Sequence, residues 1–138
     1  MFLFRETFKK SERLCSKKTF DELFEKGNSF FCHPFQVIWI FVSPGLKSPA
    51  QVAISVSKRS FRKAVSRNLI KRRIREAYRR EKHLLYEYLN KAGIKIAFII
   101  IYKGDRIPDF NEIRPAVSQM IRKLVSSVGE TDKNSSES

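Results

Sequence analysis

Apolar positions along the chain switch between two spacings, and each switch marks a new element. In SKKTFDELFEKG (16–27), Phe20, Leu23 and Phe24 recur at i, i+3 and i+4 and share one helical face. Ser16 is placed to cap the first amides, and Gly27 to take the left-handed position that ends a helix. FFCHPFQVIWIFV (30–42) predicts a strand divided at Pro34, its second part apolar on both faces as a covered central strand requires. SPGLKSP (43–49) reads as a loop. In QVAISVSK (51–58), Val52, Ile54 and Val56 point one way and Ala53, Ser55 and Ser57 the other. That second face is small and polar and suits the border of a groove. A long helix is predicted from about Phe61 to about Leu89, ended by Asn90, Ala92 and Gly93. KIAFIIIY (95–102) predicts another buried strand. The final helix, 109–129, carries Phe110, Ile113, Val117, Ile121, Leu124 and Val128 at helical spacing. Its first turn is expected to be irregular, because Pro115 lacks an amide donor.

The 138 residues suit one domain, 1–129, opened by an extended arm over 1–14 and followed by a disordered polar tail over 130–138. Neither repeats nor a second core are visible. Charge changes the picture more than hydropathy does. Lys and Arg number 28 against 14 Asp and Glu, a formal charge of +14. Folding gains nothing from such self-repulsion, so a polyanionic partner is expected. With 42% hydrophobic residues and 12 Phe, the chain is too apolar for a disordered basic tail. Cys15 and Cys32 lack metal-ligand spacing and are read as reduced thiols, with a disulfide between them the alternative. The apolar start is too short for a signal peptide, and VIWIFV and IAFIIIY are too short to span a bilayer. A cytoplasmic location without membrane contact is expected.

The positive charge is concentrated in SRNLIKRRIREAYRR (66–80). At 100° per residue, Ile70, Ile74, Ala77, Tyr78 and Leu85 form one stripe. Asn68, Lys71, Arg72, Arg75, Arg79 and Lys82 collect on the opposite side, with Glu76 and Glu81 outside the ridge. Solvated helix faces usually mix signs, since like charges at i, i+4 destabilise a helix by about 0.2–0.5 kcal/mol. Lys71/Arg75 and Arg75/Arg79 break that habit, and a ridge of this kind fits a phosphate backbone. Lys58, Arg59, Arg62 and Lys63 add cations where a strand ends and this helix begins, a place where amides also favour anions.

SVSKRSFRKAVSRNLIKRRIREAYR (55–79) resembles the signature segment of the bacterial ribonuclease P protein subunit. The likeness takes in KSERL (10–14), FDELFEKG (20–27) and the strand 95–102, and covers roughly residues 8 to 126. The resemblance implies an α+β fold of the ribosomal S5 domain 2 type: a helix, antiparallel strands, the basic helix, a further strand and a last helix. It places the basic helix in a left-handed crossover between parallel strands, against the usual preference. It implies that hydrolysis of precursor tRNA, which releases the 5′ leader, is performed by a catalytic RNA with bound Mg2+. The protein helps hold the substrate and has no catalytic side chain of its own.

The same resemblance assigns two sets of residues. Arg67 and Asn68 match the first two positions of an Arg-Asn-Arg element, and the third is Leu69, for which Arg72 or Arg73 stands close enough to compensate. With Arg62, Lys71, Arg72, Arg75 and Arg79 they form the expected surface for the catalytic RNA. Phe20, Phe24, Lys58, Arg59, Lys63 and Lys103 form the expected leader groove, and the family's strand aromatic there aligns with Ile38, next to Trp39. A single strand needs cations for its phosphates and flat groups for its bases, which these residues supply. Read from the residues alone, Phe20 and Phe24 are core positions before they are a base platform, Phe24 at least in part. Arg67 lies near the apolar stripe and is also suited to fixing the helix to the loop before it.

A protein-borne nuclease site is not expected. His33 and His83 lack a His or carboxylate partner at a useful spacing, and Asp105 and Asp109 stand apart from any DxD cluster. A structural RNA-binding protein of the ribosomal kind, with no role in cleavage, is the alternative.

Overall fold

The computed structural model describes residues 8–43 and 45–137. A 3-10 turn (Lys10–Glu12) precedes α1 (Lys17–Lys26), β1 (Asn28–Cys32), β2 (Phe35–Val42) and β3 (Ala50–Val56). After these come α2 (Ala64–Glu81), α3 (His83–Ala92), β4 (Lys95–Tyr102) and α4 (Phe110–Glu137). The strands form one sheet in the order β1-β2-β4-β3. β1 and β2 form an antiparallel hairpin, β2 pairs antiparallel with β4, and β4 pairs parallel with β3. The basic α2 and α3 therefore make the crossover that a parallel pair requires. This is the α+β architecture that the sequence led us to expect.

Strand alternation divides the side chains between two faces. Phe35, Val37 and Trp39 of β2, Val52 and Val56 of β3, and Ile96, Phe98, Ile100 and Tyr102 of β4 enter the main core. Against them pack Ile70, Ile74, Ala77 and Tyr78 of α2, Leu85 and Leu89 of α3, and the Ile113–Val128 stripe of α4. The Trp39 indole N–H donates to Ser127 Oγ at 3.1 Å. The opposite face meets α1 through a smaller cluster of Leu14, Leu23, Ile40 and Ala97. The arm runs along the free edge of β3: the Leu14 N–H donates to the Val52 carbonyl at 3.0 Å, and Arg13 pairs parallel with Val52. An otherwise open strand edge is thereby covered.

Several expectations need correction. Ser16 Oγ does accept from the Thr19 N–H (3.3 Å), but Gly27 ends α1 in extended backbone, with φ −65° and ψ 151°. Gly27 is needed for close packing instead: a Cβ there would lie 2.5 Å from Ile38 Cγ2 and 2.3 Å from the Leu23 carbonyl oxygen. The left-handed glycine is Gly93, φ 67°, which closes α3. The expected single helix 61–89 starts at Ala64, is interrupted at Lys82 and runs on to Ala92. Lys82 keeps nearly helical angles (φ −68°, ψ −15°), so the apolar stripe continues in phase and leaves no mark in the sequence.

Lys82 itself belongs to the interior. It is buried, and its Nζ donates to Glu12 Oε1 at 2.6 Å while lying 5.0 Å from the Tyr86 ring centre. α4 runs through Pro115 without interruption: Pro115 and Asn111 are exposed, so water reaches the carbonyl that proline leaves without a donor. The helix also continues past Gly129 to Glu137, through most of the segment expected to be disordered, with Tyr88 packed beside Gly129. Both cysteines are free thiols, Cys15 exposed and Cys32 half-buried.

Candidate nucleic-acid interface

Turning the apolar stripe of α2 into the core leaves Asn68, Arg72 and Arg75 exposed and Lys71 half-exposed along the outer side. The arm adds to this ridge. Phe8 lies edge-on to Tyr78 at 6.2 Å, and its ring takes the guanidinium of Arg75 at 6.0 Å and that of Arg13 at 5.6 Å. Those distances are within the range of cation–π attraction and orient both cations around one ring. Arg79 is differently placed from its expected role: its Nη2 meets Glu76 Oε1 at 2.5 Å, and the same oxygen accepts from Arg80 Nε at 3.0 Å. The Arg79 hydrogen bond is the largest cause holding the Glu76 carboxyl below its usual range. Lys82, expected on the ridge, is in the interior as described. The exposed run thus reads Asn68–Lys71–Arg72–Arg75 and grades into a neutralised patch toward the C-terminus of α2.

Arg73 is engaged elsewhere, since its Nη1 donates to the Pro108 carbonyl at 2.6 Å. Of the two candidates for compensating Leu69, Arg72 is the exposed one.

The approach to α2 is built from its own loop. Ser57 Oγ accepts from the N–H groups of Arg59 (3.1 Å) and Ser60 (3.4 Å), and the Ser57 carbonyl accepts from the Phe61 N–H at 3.0 Å. Arg67 reaches back from the first turn, and its Nη1 donates to the carbonyls of Phe61 (2.8 Å) and Arg62 (2.9 Å). The clamp inferred for Arg67 is therefore present. Lys58, Arg59, Arg62 and Lys63 all stay exposed around a helix start with no capping side chain and no acid in its first turn. Its free amide dipoles and these cations favour an anion together.

The second surface is the face of the sheet under α1. Register brings Ser29, Ile38, Ile99 and Ala53 into one row and Phe31, Gln36, Ile101 and Ser55 into the next. α1 covers the first row and the one before it, through Leu23 and Phe20. The second row lies beyond that cluster, with Gln36, Ile101 and Ser55 each partly exposed. Beyond it lies the sheet edge where both parallel strands end, and there Lys58, Arg59 and Lys103 are exposed. The Lys103 N–H is fixed to the Pro34 carbonyl at 2.8 Å. A strip of sheet therefore runs between α1 and a cationic edge.

Of the aromatics assigned to it, Phe20 is half-buried against the cluster of Leu14, Leu23, Ile40 and Ala97, whereas Phe24 is 62% exposed. The expectation of a partly buried Phe24 is thus reversed. Lys63 is exposed at the N-cap of α2. Phe31, 52% exposed at the outer end of the uncovered row, was missed by sequence reasoning. Its only signal was alternation in β1, which sets Phe30 and Phe31 on opposite faces.

His33 and His83 are both exposed, and no group of three or more His, Cys, Asp or Glu among the described residues is placed to hold a metal ion. None of the described helices is long and apolar enough to cross a membrane.

A basic helix bridging parallel strands, with a cation-rimmed open strip of sheet on the other side, defines a small α+β domain with two cationic surfaces. Comparison with known proteins narrows the class. The family model described as Ribonuclease P matches residues 8–125, so the chain belongs to the ribonuclease P protein family, the protein component of a ribonuclease with an RNA partner. It is 35% identical over 121 residues to the ribonuclease P protein component of Porphyromonas gingivalis ATCC 33277, covering 86% of this chain and 87% of that one. It is also 35% identical over 122 residues to that of Petrotoga mobilis, covering 86% and 96%. The fold is similar to the RNase P protein of Thermotoga maritima, with a TM-score of 0.65 at 22% identity over 81% of this chain and 96% of that one. The Staphylococcus aureus RNase P protein gives 0.63 at 24% identity over 82% and 94%.

Proposed function

We propose that the chain organises a ribonuclease P ribonucleoprotein through two surfaces. The outer side of α2, from Asn68 through Lys71 and Arg72 to Arg75, docks on phosphates of the catalytic RNA, joined by Arg62 and the α2 start. The strip between α1 and the Lys58–Arg59–Lys103 edge takes the single-stranded 5′ leader of precursor tRNA, with cations on the phosphates and Phe24 against a base. The observation that carries this reading is the uncovered, partly apolar row of sheet lying beside the end of β3 and β4, where Lys58, Arg59 and Lys103 are exposed. A folding requirement explains neither half of that pairing.

The side chains of this protein bind and orient; they do not break bonds. Among the described residues no cluster of carboxylates is placed to suit Mg2+, which prefers several hard oxygen ligands in octahedral array. We therefore assign magnesium to the RNA and derive no step through it. Electrostatic attraction raises the local concentration of substrate and lowers the cost of bringing two polyanions together.

Reconstitution tests the proposal. Added to a matching catalytic RNA at low magnesium, the chain is expected to restore removal of the leader from precursor tRNA, and alone it is expected to cleave nothing. RNA binding without restored cleavage would instead identify a structural RNA-binding protein. Cleavage by protein freed of RNA would overturn the assignment of chemistry to the RNA.

A further inference from the structure

The groove has one aromatic that no assignment uses. Phe31 lies on edge strand β1 and pairs with Gln36, so its side chain shares the uncovered row with Gln36, Ile101 and Ser55. It is 52% exposed. A lone exposed apolar residue normally needs no explanation, but Phe31 is held in place. Its carbonyl accepts from Lys123 Nζ of α4 at 2.6 Å, and that same ammonium lies 5.6 Å from the Phe30 ring centre. Phe30, pointing the other way, packs against the main core. His33 stands beside Phe31 with ring centres 6.2 Å apart. Ile38, by contrast, packs against the small cluster under α1 and lies close against Gly27 at the end of that helix. It offers the strip no flat surface.

We infer that Phe31 is the strand-borne stacking platform of this groove, taking a base of the single-stranded leader at the far side of the sheet from Lys58 and Arg59. The inference rests on the leader reading proposed above and adds to Phe24 a second stacking residue, carried by the sheet. β1 and β3 are the two edges of a four-stranded sheet, about three spacings of roughly 4.8 Å apart. A base on Phe31 and a phosphate at the β3 end therefore belong to a segment long enough to cross some 14 Å. An aromatic anchored at one end of the strip and cations at the other set a minimum length for the strand that fills both.

The test uses the reconstituted ribonucleoprotein and a series of precursor tRNAs with leaders of increasing length, with mature tRNA as the reference. Phe31→Ala is expected to lower affinity for long leaders on the order of 5- to 150-fold, the range for loss of one stacked base. It should leave mature tRNA and the shortest leaders unaffected. Phe31→Tyr should retain binding, and Phe31→Leu should not rescue it. Unchanged affinity of Phe31→Ala for every leader, while Phe24→Ala still loses leader-dependent affinity, would remove Phe31 and leave the groove standing. Full binding by Phe31→Leu would replace stacking with simple apolar contact. If neither Phe24→Ala nor Phe31→Ala discriminates between precursor and mature tRNA, the leader reading falls and takes Phe31 with it. Thermal unfolding of each variant separates these outcomes from loss of fold.

Discussion

Phe20 and Phe24 differ by a small rotation about α1, and that rotation decides their roles. On a 100° wheel Leu23 lies about 60° to one side of Phe20 and Phe24 about 40° to the other. A sequence shows the three as one face. The sheet contact is centred toward Leu23, which is 1% exposed, so Phe20 falls at the margin and Phe24 outside it. Phe24→Ala is therefore expected to weaken leader-dependent binding by about 1–3 kcal/mol while leaving the urea midpoint of the free protein unchanged. Phe20→Ala should lower that midpoint, by less than the roughly 3–5 kcal/mol of a fully buried phenylalanine. A Phe24→Ala variant that unfolds early, with no loss of leader binding, would return Phe24 to the core. Arg67 was easier to read. Its place near the apolar stripe pointed to the loop, and both of its carbonyl partners are in that loop.

Elements were legible where their period was strong. β4 spans Lys95–Tyr102, as its apolar run indicated, and α1 and β2 follow their spacing closely. The α2–α3 interruption was invisible because it preserves phase, and the cause lies on a distant part of the chain. Lys82 turns inward to Glu12, which a helical wheel cannot know. Removing one member of a buried ion pair typically costs about 3–5 kcal/mol, whereas replacing both with apolar groups is often neutral. Glu12→Ala should accordingly show a large loss of stability in urea unfolding, and Glu12→Leu combined with Lys82→Met should recover most of it. Equal losses for the single and double variants would mean that the pair is not what holds the arm at this junction.

At the scale of the molecule, a formal charge of +14 announced a polyanionic partner but not which cations would face it. That depended on carboxylates meeting particular arginines: Glu76 takes Arg79 and Arg80, and Glu81 takes Arg114 at 2.9 Å. The cationic edge of the groove was equally hidden, because it arises only when β3 and β4 end side by side. The double variant Arg72→Ala, Arg75→Ala should flatten the dependence of log K on log salt for the catalytic RNA by roughly 1.4–1.8, if each residue meets one phosphate. Arg80→Ala, whose guanidinium is shared with Glu76, should alter that slope much less. A binding titration at several salt concentrations gives both values, and equal slopes for the two variants would count against α2 as the docking side.

The arm has a practical bearing on any trimmed form of this protein. A version beginning at Ser16 would lose in one cut the carboxylate that Lys82 meets and the residues lying beside Val52. The interior would hold an ammonium deprived of the Glu12 carboxylate, while a bare ribbon flank invited self-association. A minimal domain thus has to begin upstream of Lys9, or else carry an apolar residue at position 82 together with a shielding charge on β3.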